Sequence, residues 1–116
     1  MRRYTPDMAT RTLPLVRRIV EDIVSKFAQW QAKVREFEIV AASNSATDPD
    51  PRAEALEHEV ADLAAQLEGF HAELAALDVQ FKDYASGRVD FPAERDGQPA
   101  YLCWTLGEPA VVSWHG

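Results

Sequence analysis

The sequence predicts a mainly α fold with a smaller β part: a long antiparallel, coiled-coil-like helical hairpin and a C-terminal three-stranded antiparallel sheet. Three observations predict it. Stepping by four and three residues, Leu56, Val60, Leu63, Leu67, Phe70, Leu74, Leu77, Phe81 and Tyr84 form an unbroken apolar seam. A mean spacing of 3.5 residues belongs to a helix lying along another helix. Ala9, Leu13, Val16, Val20, Ile23, Phe27, Trp30, Val34, Phe37 and Ala41 obey the same stepping. After Gly87 the period changes, and short β-prone runs alternate with turn signals.

At 116 residues the chain is expected to be one domain, residues 1–116. Its 47% hydrophobic content excludes a disordered chain. No apolar run approaches the ~20 residues that a membrane span needs. The basic start, Met1-Arg2-Arg3-Tyr4, breaks at Pro6, Asp7 and Arg11, unlike a signal peptide. The lone Cys103 permits no internal disulfide and agrees with a reducing compartment, so the expected location is the cytoplasm.

The net charge is −7. Residues 52–84 carry eight acids against two bases, whereas residues 7–42 carry six bases against five acids. Neighbouring helices of opposite bias attract, so the acidity belongs to a solvated helix face. No dense basic stripe is present to displace counterions, which argues against a nucleic-acid partner. Arg11, Arg17 and Arg18 form the one basic cluster, a phosphate-binding candidate or a plain solvated flank.

The first helix is predicted over residues 5–42. Thr5 caps it, Pro6 takes the first helical position, and Asp7 sits at the positive end of the dipole. Pro14 removes one backbone bond about two turns inside. Met8, Leu15, Ile19 and Val24 widen the apolar surface there and call for a second neighbour, which the sheet would supply for Met8, Leu15 and Ile19. Residues 43–51 are a turn-rich link without periodicity, and Asp50-Pro51 restarts the helix. The second helix is predicted over residues 52–86, closed by Gly87. A nine-residue link makes an antiparallel hairpin, each arm roughly 50 Å long at the helical rise.

Residues 88–116 form the predicted β cap. Asp96-Gly97 is a tight hairpin turn, pairing Phe91 with Leu102 and Asp90 with Cys103. A second loop over residues 106–109 places Cys103 opposite Val112. Val89, Phe91, Leu102, Trp104 and Val111 then make the core face. Asp90, Tyr101, Cys103, Thr105 and Trp114 occupy the other. His115 falls on the core side in this register, and a slip of one residue brings it beside Cys103.

The pieces Val89-Asp-Phe-Pro-Ala, Asp96-Gly97, Tyr101-Leu-Cys-Trp, Leu106-Gly-Glu-Pro and Trp114-His115, with Tyr4-Thr5 and Leu13-Pro14, carry a resemblance. Together they resemble the bacterial family catalogued as domain of unknown function 2203, over nearly the whole chain. The resemblance implies a small cytoplasmic protein with a helical hairpin and a β cap, and it supplies no mechanism. Members of that family usually continue past the Trp-His pair into a Gly- and Arg-containing tail.

Cys103, His115, Asp90 and Glu108 are candidate ligands for a transition metal such as zinc or iron. The opposing reading makes Cys103 a small half-buried strand residue and His115 a polar group near the chain end. A Cys103–His115 nucleophilic pair would need an oxyanion site that the sequence does not offer, so the reading leans away from an enzyme. His58 and His71, thirteen residues apart on one helix, cannot share a metal and read as surface histidines. Tyr101, Trp104 and Trp114 are candidate interface residues or core fillers. Ala61, Ala65, Ala72, Ala76 and Val79 form a second stripe of small residues, suited to packing hairpins into a homodimer.

The functional expectation is a non-catalytic interaction or accessory protein that self-associates through its hairpin, with its cap turned to a protein partner in a larger complex. The alternative is a metal- or cofactor-binding protein with its site in the cap.

Overall fold

A computed structural model describes residues 2–115. The elements are α1 (Pro6–Ala42), α2 (Pro51–Ala76), β1 (Gln80–Asp83), β2 (Arg88–Arg95), β3 (Gln98–Thr105) and β4 (Ser113–His115). The fold is a helical pair followed by an antiparallel sheet of strand order β1-β2-β3-β4, one strand more than expected. The chain divides into two compact units, residues 1–24 with 70–116, and residues 25–69. Among the described residues, no helix is long and apolar enough to cross a membrane.

The discontinuous unit holds the dense core. Helix α1 opens as its sequence dictates, with the Thr5 hydroxyl accepting the Met8 N–H at 3.2 Å. Ala9, Leu13, Val16, Ile19, Val20 and Ile23 of its first half are buried, together with Leu74, Val79, Val89, Phe91, Leu102, Trp104 and Val111. Contacts tie the helix to the sheet. The Val111 N–H donates to the Thr10 hydroxyl (3.1 Å), and the Arg17 guanidinium lies 5.8 Å from the Trp104 ring centroid. Ile19 is buried as expected, but Met8 and Leu15 remain exposed; the sheet does not cover them.

The second helix stops ten residues short of its predicted end at residue 86. Asp78 adopts a left-handed φ of 61°. Its N–H donates to the Ala75 carbonyl (2.9 Å) and the Val79 N–H to the Leu74 carbonyl (3.1 Å). That pair of bonds is a Schellman cap, sealed by apolar contact between the residues at its two ends, here Leu74 and Val79, both buried. Asp78 therefore does what Gly87 was expected to do. Gly87 keeps its positive φ of 70°, but in the turn between β1 and β2. The seam beyond Ala76 is not helical, and Phe81 lies in β1, where its partner is Val89. The N-terminal segment meets the end of α2, with the Tyr4 hydroxyl donating to the Leu77 carbonyl at 2.7 Å. Tyr4 also forms a parallel bridge with Ala93.

In the sheet, Asp96 and Gly97 take φ values of 53° and 77°, the left-handed pair of a two-residue hairpin. Phe91 pairs with Leu102 and Asp90 with Cys103, as predicted. The next loop is longer than residues 106–109, and Cys103 pairs with Ser113 instead of Val112. This one-residue slip exchanges two side chains. His115 pairs with Tyr101 and joins the outer face, while Trp114 pairs with Leu102 and leaves it.

Residues 25–69 form a helical hairpin with a thinner interior. Ala53, Leu56, Leu63 and Leu67 of α2 are buried. Lys33 bridges from α1 to Glu59 at 3.5 Å. On the α1 side the seam residues Phe27, Trp30, Val34, Phe37 and Ala41 are only half-buried. The Trp30 indole Nε1 is itself buried without a hydrogen-bond partner.

Candidate functional site

The outer face of the sheet collects the polar side chains that strand alternation assigns to it: Gln80 on β1, Arg88 and Asp90 on β2, Tyr101 and Cys103 on β3, His115 on β4. At its centre Asp90 is 2% exposed, the single buried charged side chain among the described residues. A buried carboxylate must be partnered, and this one is. His115 Nε2 lies 2.9 Å from Asp90 Oδ2, and Arg88 Nη2 donates to Oδ1 at 3.4 Å.

His115 reaches Asp90 across β3. Its ring stacks on Tyr101 with centroids 5.6 Å apart and planes 24° from parallel, so the imidazole has little freedom to turn. Tyr101 in turn receives the Gln80 side-chain N–H at 3.5 Å. Arg88 Nη2 also stands 3.1 Å from His115 Nε2. A guanidinium only donates, so Nε2 cannot accept from Arg88 while its own N–H donates to Asp90. Arg88 thus serves Oδ1 of the carboxylate while His115 Nε2 stands at Oδ2. Arg88 Nε is buried with no hydrogen-bond partner.

Of the four predicted metal ligands, the fold brings Asp90 and His115 into contact and places Cys103 opposite Asp90 on the same face. Glu108 is elsewhere. Its carboxylate accepts the Thr105 N–H at 2.6 Å, and its carbonyl accepts the Trp104 indole N–H at 2.9 Å; both bonds shape the loop after β3. Among the described residues, no three His, Cys, Asp or Glu side chains are grouped as a metal ion requires.

The predicted interface residues separate as well. Trp104 is fully buried and has no surface to offer. Tyr101 is half-buried on the outer face. Trp114 lies on the opposite side beneath the Arg95 guanidinium, 5.0 Å from its ring centroid, beside a hollow of about 380 Å³ that His115 also lines. Ala61, Ala65, Ala72 and Ala76 are exposed along α2, whereas Val79 is buried past its end.

Arg88 was absent from the sequence-derived candidates, although its place two residues before Asp90 on one strand puts both on the same face. His71 is not a plain surface histidine. Its Nε2 lies 2.7 Å from the Tyr84 hydroxyl, and its ring meets Phe81 edge-on. His58 is exposed, 3.9 Å from Glu54.

The chain belongs to the family described as "Uncharacterized conserved protein (DUF2203)", whose model matches residues 2–116. No curated protein and no solved structure matches it.

Proposed function

We propose that this member of the family is a non-catalytic interaction protein, an accessory or assembly factor of the cytoplasm that self-associates through its helical hairpin and turns its outer sheet face to a protein partner. One observation carries the reading. Between Phe27 and Ala41, five large or apolar seam residues are only half-buried, in a hairpin whose own second helix is already in place. Two-helix hairpins complete such an interior by packing against another helix pair. The exposed alanines Ala61, Ala65 and Ala72 permit close approach on the far side of α2. Sedimentation equilibrium tests it. The expected mass is twice 13.0 kDa, and a 13.0 kDa species at every concentration would overturn the self-association.

The sheet face supports a second reading, a metal- or cofactor-binding site built on Asp90 and His115. The observation in its favour is their 2.9 Å contact, with Cys103 across the strand pair; these are ligand types suited to zinc or iron. Metal analysis of protein purified without added metal decides it. Stoichiometric zinc or iron that is lost in His115→Ala and Cys103→Ser supports this reading, and metal-free protein removes it.

A further inference from the structure

The hairpin of residues 25–69 carries a patch that is complementary to itself. Ile39 is 74% exposed, more than any other large apolar side chain among the described residues. It stands at the rim of a hollow of about 380 Å³ whose apolar lining includes Val40, Ala55 and Leu56. A knob and a hole of matching chemistry therefore share one small area. Its charged rim is polarised along the helices: Arg52 lies at the end nearer the interhelical link, while Glu36 and Glu59 lie at the other. Seven residues separate Arg52 from Glu59 in α2, roughly 10 Å of helical rise.

We propose that this patch is the contact between two copies of the chain, joined by a two-fold axis perpendicular to the hairpin. This rests on the self-association reading above, and it assigns the contact to residues other than the half-buried seam and the α2 alanines. An isologous contact requires that each element of the patch meet a different element of the same patch. Here the axis sends Ile39 of each copy into the hollow of the other and sets each Arg52 against the other copy's Glu36 and Glu59. A parallel arrangement would stack like charges instead. Each of these groups already has a partner in its own chain and would gain a second: Arg52 donates to the Asp50 carboxylate through Nη2 at 2.9 Å and Nε at 3.3 Å, and Lys33 holds Glu36 and Glu59 at 3.3 and 3.5 Å. Exposed ion pairs contribute little affinity, so they set the direction of docking while the buried isoleucine sets its strength.

The test uses the full chain in sedimentation equilibrium, with circular dichroism to verify folding. Ile39→Glu, at a position the single chain leaves 74% exposed, is expected to raise the dimer dissociation constant about tenfold or more, the equivalent of one apolar side chain left in water. Arg52→Glu and Glu59→Arg are each expected to weaken the homodimer. Mixing those two variants is expected to restore association, because the mixed pair, unlike either variant with itself, has opposite charges at both ends of the contact. A dimer indifferent to Ile39→Glu and to mixing, but broken by Ala61→Glu with Ala65→Glu, would overturn the patch and leave the self-association standing. A wild-type chain that is monomeric throughout would remove both.

Discussion

Residues 25–69 and the unit made from residues 1–24 and 70–116 draw on one pattern, the four-three apolar seam, and bury it to different depths. Leu13, Val16, Val20 and Ile23 disappear entirely because a sheet faces them in addition to a helix. Phe27 to Ala41 continue the same stepping and stay half-exposed. Every fully buried side chain, from Trp104 and Phe91 down to Val111, belongs to the discontinuous unit. A heptad pattern thus specifies which side of a helix is apolar. How much of that side is covered depends on what else arrives.

Four measurements break or sharpen this contrast. Trp104→Ala removes the largest buried side chain and an indole hydrogen bond. It is expected to cost about 3–5 kcal/mol in denaturant unfolding, and a loss below 1 kcal/mol would mean that the core is not where the burial puts it. Next come two glycines, mutated identically. At Gly87, a Cβ would sit 2.9 Å from Leu106 Cβ and 3.0 Å from Val20 Cγ1, at φ +70°. Gly87→Ala should therefore lose at least about 1–2 kcal/mol from the left-handed backbone alone. At Gly69, inside α2, nothing lies within 4 Å of the added methyl. Gly69→Ala should stabilise by roughly 0.5–1 kcal/mol. Equal signs at the two positions would erase the distinction.

The smallest effect is a pH dependence at the β1–β2 turn. The Ser86 hydroxyl donates to the Asp83 carboxylate at 2.6 Å, and the Ser86 and Ala85 N–H groups donate as well. The hydroxyl bond, foremost, holds the Asp83 carboxyl below its ordinary pKa. The folded value is thus lower than the unfolded one. The stabilisation is complete above the ordinary carboxylate range and is lost as pH falls through the folded value. Thermal melts of wild type and Asp83→Asn should differ at neutral pH and converge in acid. A difference that grows on acidification would reverse the assignment.

Much of this architecture was legible. Two helices, the Asp96-Gly97 hairpin and the pairing of Asp90 with Cys103 follow from periodicity and turn chemistry. The end of α2 did not, because Leu77, Phe81 and Tyr84 keep step with the seam while an aspartate, not a glycine, takes the left-handed cap at residue 78. The alternation Val79-Gln80-Phe81-Lys82 was the competing strand signal. The β4 register missed by one because loop length is weakly encoded when Gly107 and Pro109 permit several closures. That single residue decides the site: it moved His115 from the predicted core face to Asp90. Asp90 and His115 could be named as candidates from their chemistry. Their contact could not, since it depends on an imidazole crossing an intervening strand.

The bridge between Tyr4 and Ala93 bears on the order in which the molecule assembles. One unit is a contiguous stretch whose contacts are local, whereas the other must wait until residues near both extremes of the sequence exist together. Closing so long a stretch of chain is slow, so a nascent polypeptide can zip its hairpin while its first helix still lacks the sheet it rests on. Pulse-labelled hydrogen exchange during refolding is expected to protect residues 25–69 first. Simultaneous protection throughout would mean that the two halves nucleate as one.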